Sequence, residues 1–208
     1  MTVSDKKLTK LYDFFEQYPR IRDLNLSKNL LADVMSITHM TYLQTLDVSG
    51  NKIASLNILS DENGGKLKFL KTVNLTNNRL IRMEKITIPR LEKLILDENQ
   101  ITTCENFTGH DTLKILSLKK NKLTNLKGIS HCANLEVLYL NENQITTFEN
   151  LYDLPALRKI NFKLNPLEKI AVTETLPSLR QFNFKETQLV EREYIWALLI
   201  FKKLANLN

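Results

Sequence analysis

The chain has 208 residues, 43% hydrophobic and 25% charged, a length and balance that fit one globular domain and exclude a disordered polar chain. Its 29 basic and 23 acidic residues leave a net charge of +6, spread without a long run of like charges, which reads as solvated surface. No aromatic-basic platform accompanies that charge in the sequence, so nucleic acid is not an expected partner.

The start, Met1-Thr-Val-Ser-Asp-Lys-Lys, has no apolar core of the kind a secretory signal needs. Residues 1–20 read as an N-terminal cap or partial repeat, helical or not. Leu8, Leu11, Phe14, Phe15 and Tyr18 supply its apolar face at roughly helical spacing.

From Ile21 onward one unit recurs to about Leu189. Its cleanest copy is Leu135-Glu-Val-Leu-Tyr-Leu-Asn-Glu-Asn-Gln-Ile145, a Leu-x-x-Leu-x-Leu-x-x-Asn-x-Ile pattern followed by Phe148, Leu151 and Leu154. The asparagines fix the register: Asn29, Asn51, Asn78, Asn99, Asn121, Asn143 and Asn165, with Thr187 in the slot of an eighth, degenerate copy. Successive gaps are 22, 27, 21, 22, 22, 22 and 22 residues. Two residues on stand Leu31, Ile53, Leu80, Ile101, Leu123, Ile145, Leu167 and Leu189. This is the leucine-rich repeat signature.

The physics of the unit gives the fold class: α/β, a leucine-rich repeat solenoid. One repeat cannot bury its own apolar face, so neighbours stack on a continuous core. Each Leu-x-Leu segment becomes a short strand in a concave parallel sheet. The return path suits short 3₁₀ or helical turns on the convex side. The asparagines form a structural ladder, their amides satisfying backbone groups inside the turns.

The one large irregularity is Asp61-Glu-Asn-Gly-Gly-Lys66, a polar insert that reads either as a tolerated surface loop or as a contact loop. Cys104 and Cys132 fall in different core columns, so they read as buried free thiols, which fits a reducing, cytoplasmic compartment. The sequons at Asn25, Asn74 and Asn106 are expected to be unused. Residues 190–208 read as a C-terminal capping helix: Glu191 to Leu204 carries acidic residues at its start and lysines near its end. Tyr194 to Phe201 is apolar almost all round and too short to cross a bilayer. Ile195, Leu198 and Leu199 can close the solenoid, which leaves Trp196 and Ile200 to meet a partner.

No catalytic constellation is apparent, and neither a metal, a cofactor nor a small-molecule substrate is expected. His39, His110 and His131 have no ligand spacing, and His110 sits in a core column as a structural residue. Ser117-Leu-Lys-Lys120 matches Ser-x-x-Lys by letter only. The concave face is more informative. Most outward strand residues are polar, but Ile95, Ile115, Val137 and Tyr139 are not, and Lys93, Asp97, Lys119, Glu142 and Lys159 rim them. An apolar centre with an aromatic and a charged rim is how a protein-binding patch is built. The competing explanation is that β-branched residues favour strands anywhere.

The 22-residue period, the Asn-Gln-Ile-Thr-Thr turns at Asn99 and Asn143, and Leu154-Pro-Ala-Leu157 and Leu176-Pro-Ser-Leu179 resemble the short intracellular class of leucine-rich repeat proteins. That class includes a nuclear regulator of protein phosphatase 1, a spliceosomal U2 protein and ciliary axoneme proteins. Leu8-Thr-Lys-Leu-Tyr12, Ile88-Pro-Arg-Leu-Glu-Lys-Leu94 and the ending Leu204-Ala-Asn-Leu207-Asn208 are similar to axonemal radial-spoke members. Asn165-Pro166 falls one repeat earlier than in that class, and Asn208 replaces its aspartate. The resemblance implies a non-enzymatic scaffold in a cilium or flagellum that binds several proteins within a large assembly. The alternative it leaves open is a regulatory subunit that holds an enzyme, such as a phosphatase catalytic subunit, on its concave face.

Overall fold

The computed structural model describes residues 1–11, 17–60, 66–170 and 176–190, and the backbone of 206 and 207. Nine strands lie in one sheet in sequence order, every neighbouring pair parallel. They are β1 (Asp23–Asn25), β2 (Thr45–Asp47), β3 (Thr72–Asn74), β4 (Lys93–Ile95), β5 (Ile115–Ser117), β6 (Val137–Tyr139), β7 (Lys159–Asn161), β8 (Gln181–Asn183) and β9 (Asn206–Leu207).

Strand alternation explains the core. The middle residue of each of the first eight strands points inward, as does the residue just after the strand. Leu24 and Leu26, Leu94 and Leu96, Leu138 and Leu140, and Phe182 and Phe184 are all buried in this way. Each such side chain contributes about 1.5–3 kcal/mol of burial free energy. Toward the C-terminal end the core turns aromatic. Phe148 lies 5.3 Å from both Phe162 and Phe182, ring centre to ring centre, and Phe182 lies 5.0 Å from Phe184.

The asparagine ladder runs as the repeat physics requires. Asn121 Nδ2 donates to Leu118 O of its own turn and Leu96 O of the turn before, while its Oδ1 accepts from Ile101 N. The same bonds recur at Asn51, Asn78, Asn99, Asn143 and Asn165. At Asn29 the N-terminal segment stands in for a preceding repeat: Lys6 N and Leu8 N donate to Asn29 Oδ1, and Thr2 bridges Asn25 in parallel. Thr187 holds the eighth slot, but its Oγ1 is buried without a hydrogen-bond partner. A hydroxyl on a short side chain cannot span what an asparagine amide spans.

On the convex side, 3₁₀ turns form at Met35–His39 and Asn57–Leu59. Later repeats return in turns and extended chain, pinned by the bridges Arg82↔Thr103 and Thr147↔Lys169. Gly128 marks a close approach there: at φ +89°, a Cβ would sit 1.9 Å from Cys104 O, so no larger residue fits. Cys104 and Cys132 are both buried and free.

The C-terminal end departs from expectation in one respect. The helical reading covered 190–208, whereas Asn206–Leu207 pairs with β8 as a ninth strand. Trp196, Ile200 and the rest of 191–205 lie outside the described residues, as do Phe14, Phe15 and 61–65 of the insert. Among the described residues, no helix is long and apolar enough to cross a membrane.

Candidate protein-binding face

Two outward columns cross the concave sheet. In the first, register pairing places Lys93, Ile115, Val137 and Lys159 side by side on β4 to β7. In the second, Ile95, Ser117, Tyr139 and Asn161 follow one another. Ile115 and Val137 are therefore direct neighbours, whereas Ser117 separates Ile95 from Tyr139. All four apolar side chains are half-buried, which leaves them available on the face.

The second column shows what is special about the centre. In five of the repeats an Asn or Asp at the end of the strand closes its own turn by accepting the backbone N–H two residues on. The pairs are Ser27 N to Asn25, Ser49 N to Asp47, Thr76 N to Asn74, Lys163 N to Asn161 and Lys185 N to Asn183. Each such bond contributes about 0.5–1.5 kcal/mol net. Repeats four to six give it up, because Ile95, Ser117 and Tyr139 hold the slot. One turn is rescued from outside: Asp97 Oδ1 accepts both Lys119 N at 2.9 Å and the Ser117 hydroxyl at 2.6 Å. Asp97 thus ties β4's turn to β5's. That role was not legible from the sequence, because the acceptor belongs to a neighbouring repeat.

The charged rim is organised around Tyr139. Lys119 Nζ lies 4.5 Å and Lys159 Nζ 5.4 Å from its ring centre. Two ammonium groups on one aromatic ring hold that ring in place, each cation–π contact contributing about 0.5–1 kcal/mol at an exposed site. Lys119 also approaches Asp97 Oδ2 at 3.9 Å, a loose pair. Glu142 sits beyond the sheet in the left-handed turn after β6, at φ +60°, where Asn141 Nδ2 contacts its carboxylate at 3.4 Å. It rims the patch without entering it. Leu164 was not among the expected residues. It is 42% exposed at φ +60°, an apolar side chain in the column that otherwise holds Lys120, Glu142 and Glu186. A non-glycine residue in that conformation costs about 1–2 kcal/mol.

Among the described residues, no three His, Cys, Asp or Glu side chains gather as a metal site would require. His110 Nε2 contacts Ile88 O at 2.9 Å, and burial holds its pKa below the ordinary histidine value. It is a structural residue on the convex side, where a hollow of about 490 Å³ opens beside it.

The chain has the leucine-rich repeat fold, and within it residues 111–153 and 133–177 match the family model of leucine-rich repeats in two copies. An internalin from Listeria monocytogenes superposes with a TM-score of 0.73 over 99% of this chain and 59% of its own, at 22% identity, which bears on the fold alone. Human leucine-rich repeat-containing protein 23 is 30% identical over 118 residues, 57% of this chain but only 32% of that protein's length. Human tubulin-specific chaperone E is 34% identical over 119 residues, 52% of this chain and 22% of that protein.

Proposed function

We propose that this chain is a non-enzymatic docking scaffold that binds protein at the centre of its concave face, as a structural component of a ciliary or flagellar axoneme. The observation that carries this reading is the exchange made in repeats four to six. There the turn-closing polar residue is replaced by Ile95, Ser117 and Tyr139, and Tyr139 is braced by Lys119 and Lys159. Strand propensity alone accounts for a β-branched residue. It does not account for a tyrosine held under two lysines where five other repeats keep Asn or Asp. Buried aromatics within a polar rim are the usual anchors of protein interfaces.

Two similarities support the axonemal setting: leucine-rich repeat-containing protein 23, akin to the radial-spoke members that the sequence motifs resemble, and a protein named as a tubulin-specific chaperone. Affinity purification of the tagged chain from ciliated cells, read by mass spectrometry, tests the reading. Recovery of structural microtubule-associated proteins is the expected result. A stoichiometric phosphatase or other catalytic subunit in their place would make the chain a regulatory subunit instead.

A further inference from the structure

A second surface lies on the flank where the chain enters the sheet. Tyr42 and Phe69 stack there, ring centres 5.8 Å apart and planes 2° from parallel, and the Arg90 guanidinium lies 5.1 Å from the centre of the Phe69 ring. The three occupy equivalent positions in successive repeats. Thr112 and Asn134 continue the column, and both spend their side chains on the preceding turn: Thr112 Oγ1 donates to Leu91 O, and Asn134 Nδ2 to Asp111 O. Tyr42, Phe69 and Arg90 make no such bond, and Tyr42 is 50% exposed.

The charge on this flank is one-sided. Its first four repeats carry Arg20, Arg22, Lys66, Lys68, Lys71 and Arg90 against the single carboxylate of Glu92 among the described residues, and the next two repeats add Lys114 together with Asp111 and Glu136. Arg20, Arg22 and Lys68 form no ion pair with another of the described residues. Next to Arg90 is an open hollow of about 350 Å³ lined by Lys71, Arg90, Glu92, Thr112, Lys114 and Asn134. Glu92 is shared between Lys114 at 3.0 Å and Lys71 at 3.9 Å, which leaves the hollow with excess positive charge.

We propose that this flank is a separate docking strip for an extended, acidic segment of another protein, with its carboxylates in the Lys71–Arg90–Lys114 hollow and its apolar side chains against Tyr42 and Phe69. Charge complementarity selects the partner, since a field of one sign over an exposed surface steers and retains the opposite sign. Single-stranded nucleic acid fits less well. Base stacking needs open aromatic faces, but the Phe69 ring is already engaged by Tyr42 and Arg90. Glu92 would also oppose a phosphate in the hollow. A peptide satisfies the same carboxylate with a backbone N–H.

Fluorescence anisotropy with a fluorescein-labelled peptide of alternating glutamate and tyrosine tests the proposal. A labelled oligothymidylate of matched charge runs beside it. The peptide should bind saturably. Its affinity should fall about tenfold or more in Lys71→Glu/Arg90→Glu and about fivefold in Tyr42→Ala, the range for interface anchors. It should not change in Ile115→Asp, on the concave face, and the double charge reversal should keep the wild-type circular dichroism spectrum. Absence of saturable peptide binding, or affinity unchanged in the folded charge-reversal variant, would overturn the proposal. So would an oligothymidylate that binds with that variant dependence while the peptide does not, which would make the strip a nucleic-acid site.

Discussion

Asn121 shows how one side chain can hold two turns of chain together. Its amide donates to Leu118 O and Leu96 O and its carbonyl accepts from Ile101 N, so Asn121→Ala orphans the buried Ile101 N–H and leaves Leu118 O and Leu96 O with one amide donor each, from Asn143 and Asn99. The expected loss is about 1–3 kcal/mol in chemical denaturation. The converse change tests the same account: Thr187→Asn should stabilise the chain by about 1 kcal/mol, because a buried hydroxyl that now has no partner is replaced by an amide that can reach the adjoining turn. The cysteines make a second test at this scale. Burial pushes the Cys104 thiol up to about 12 and the Cys132 thiol up to about 11. Neither should react with a thiol reagent until the protein unfolds. In the unfolded chain both thiols lose their protons near the ordinary value of 9.0, so the unfolded state binds fewer protons above that pH. Stability should therefore decline as pH rises from about 9, and a Cys104→Ala/Cys132→Ala variant should decline less steeply. The ladder and the cysteine columns were legible in the sequence because each repeats at one period. The bridge from Asp97 to Ser117 and Lys119 was not, because it depends on which residues adjacent turns bring face to face.

At the scale of the element, short strands and tight turns leave little room for a charge. His110 is part of the link between two convex turns, with its ring against Ile88 O. Burial lowers its pKa, so the unfolded chain takes up a proton at the ordinary histidine pH while the folded chain resists it. The unfolded state then binds more protons, and stability falls as pH drops through that range. Denaturant midpoints measured from about pH 7.5 down to about pH 5 should show the decline, and His110→Gln should flatten it. The elements themselves were read unevenly. Strand positions follow from the Leu-x-Leu spacing and agree with the observed register. The convex path is less regular, with 3₁₀ turns only at Met35–His39 and Asn57–Leu59 among the described residues. Apolar residues at every third position are met equally by a 3₁₀ turn and by an irregular chain tied to its neighbour. At the end of the chain, helical spacing around Tyr194 to Phe201 masked the edge strand Asn206–Leu207, whose two residues are too few to carry an alternation signal.

Across the whole molecule the repeats serve to hold side chains from different turns in one fixed array. Ile115 on β5 and Val137 and Tyr139 on β6 come from segments 22 residues apart in sequence, yet the ladder and the sheet register bring them onto one face. No single repeat could present such a patch, and no one side chain has to unfold the solenoid when it is changed, because these groups point away from the core. The concave patch could be found in the sequence as an apolar interruption in polar columns. The flank with Tyr42, Phe69 and Arg90 could not, because those three residues lie 27 and 21 positions apart across the irregular insert and share no composition signal. The measurement closest to the central claim compares what wild-type chain, Ile115→Asp and Tyr139→Ala recover from solubilised axonemes, with the folded Lys71→Glu/Arg90→Glu variant as a control for the flank. The account predicts that both concave variants keep the wild-type circular dichroism spectrum and lose the main structural partner, at about 2 kcal/mol or more each. Undiminished recovery of that partner by both concave variants would contradict it.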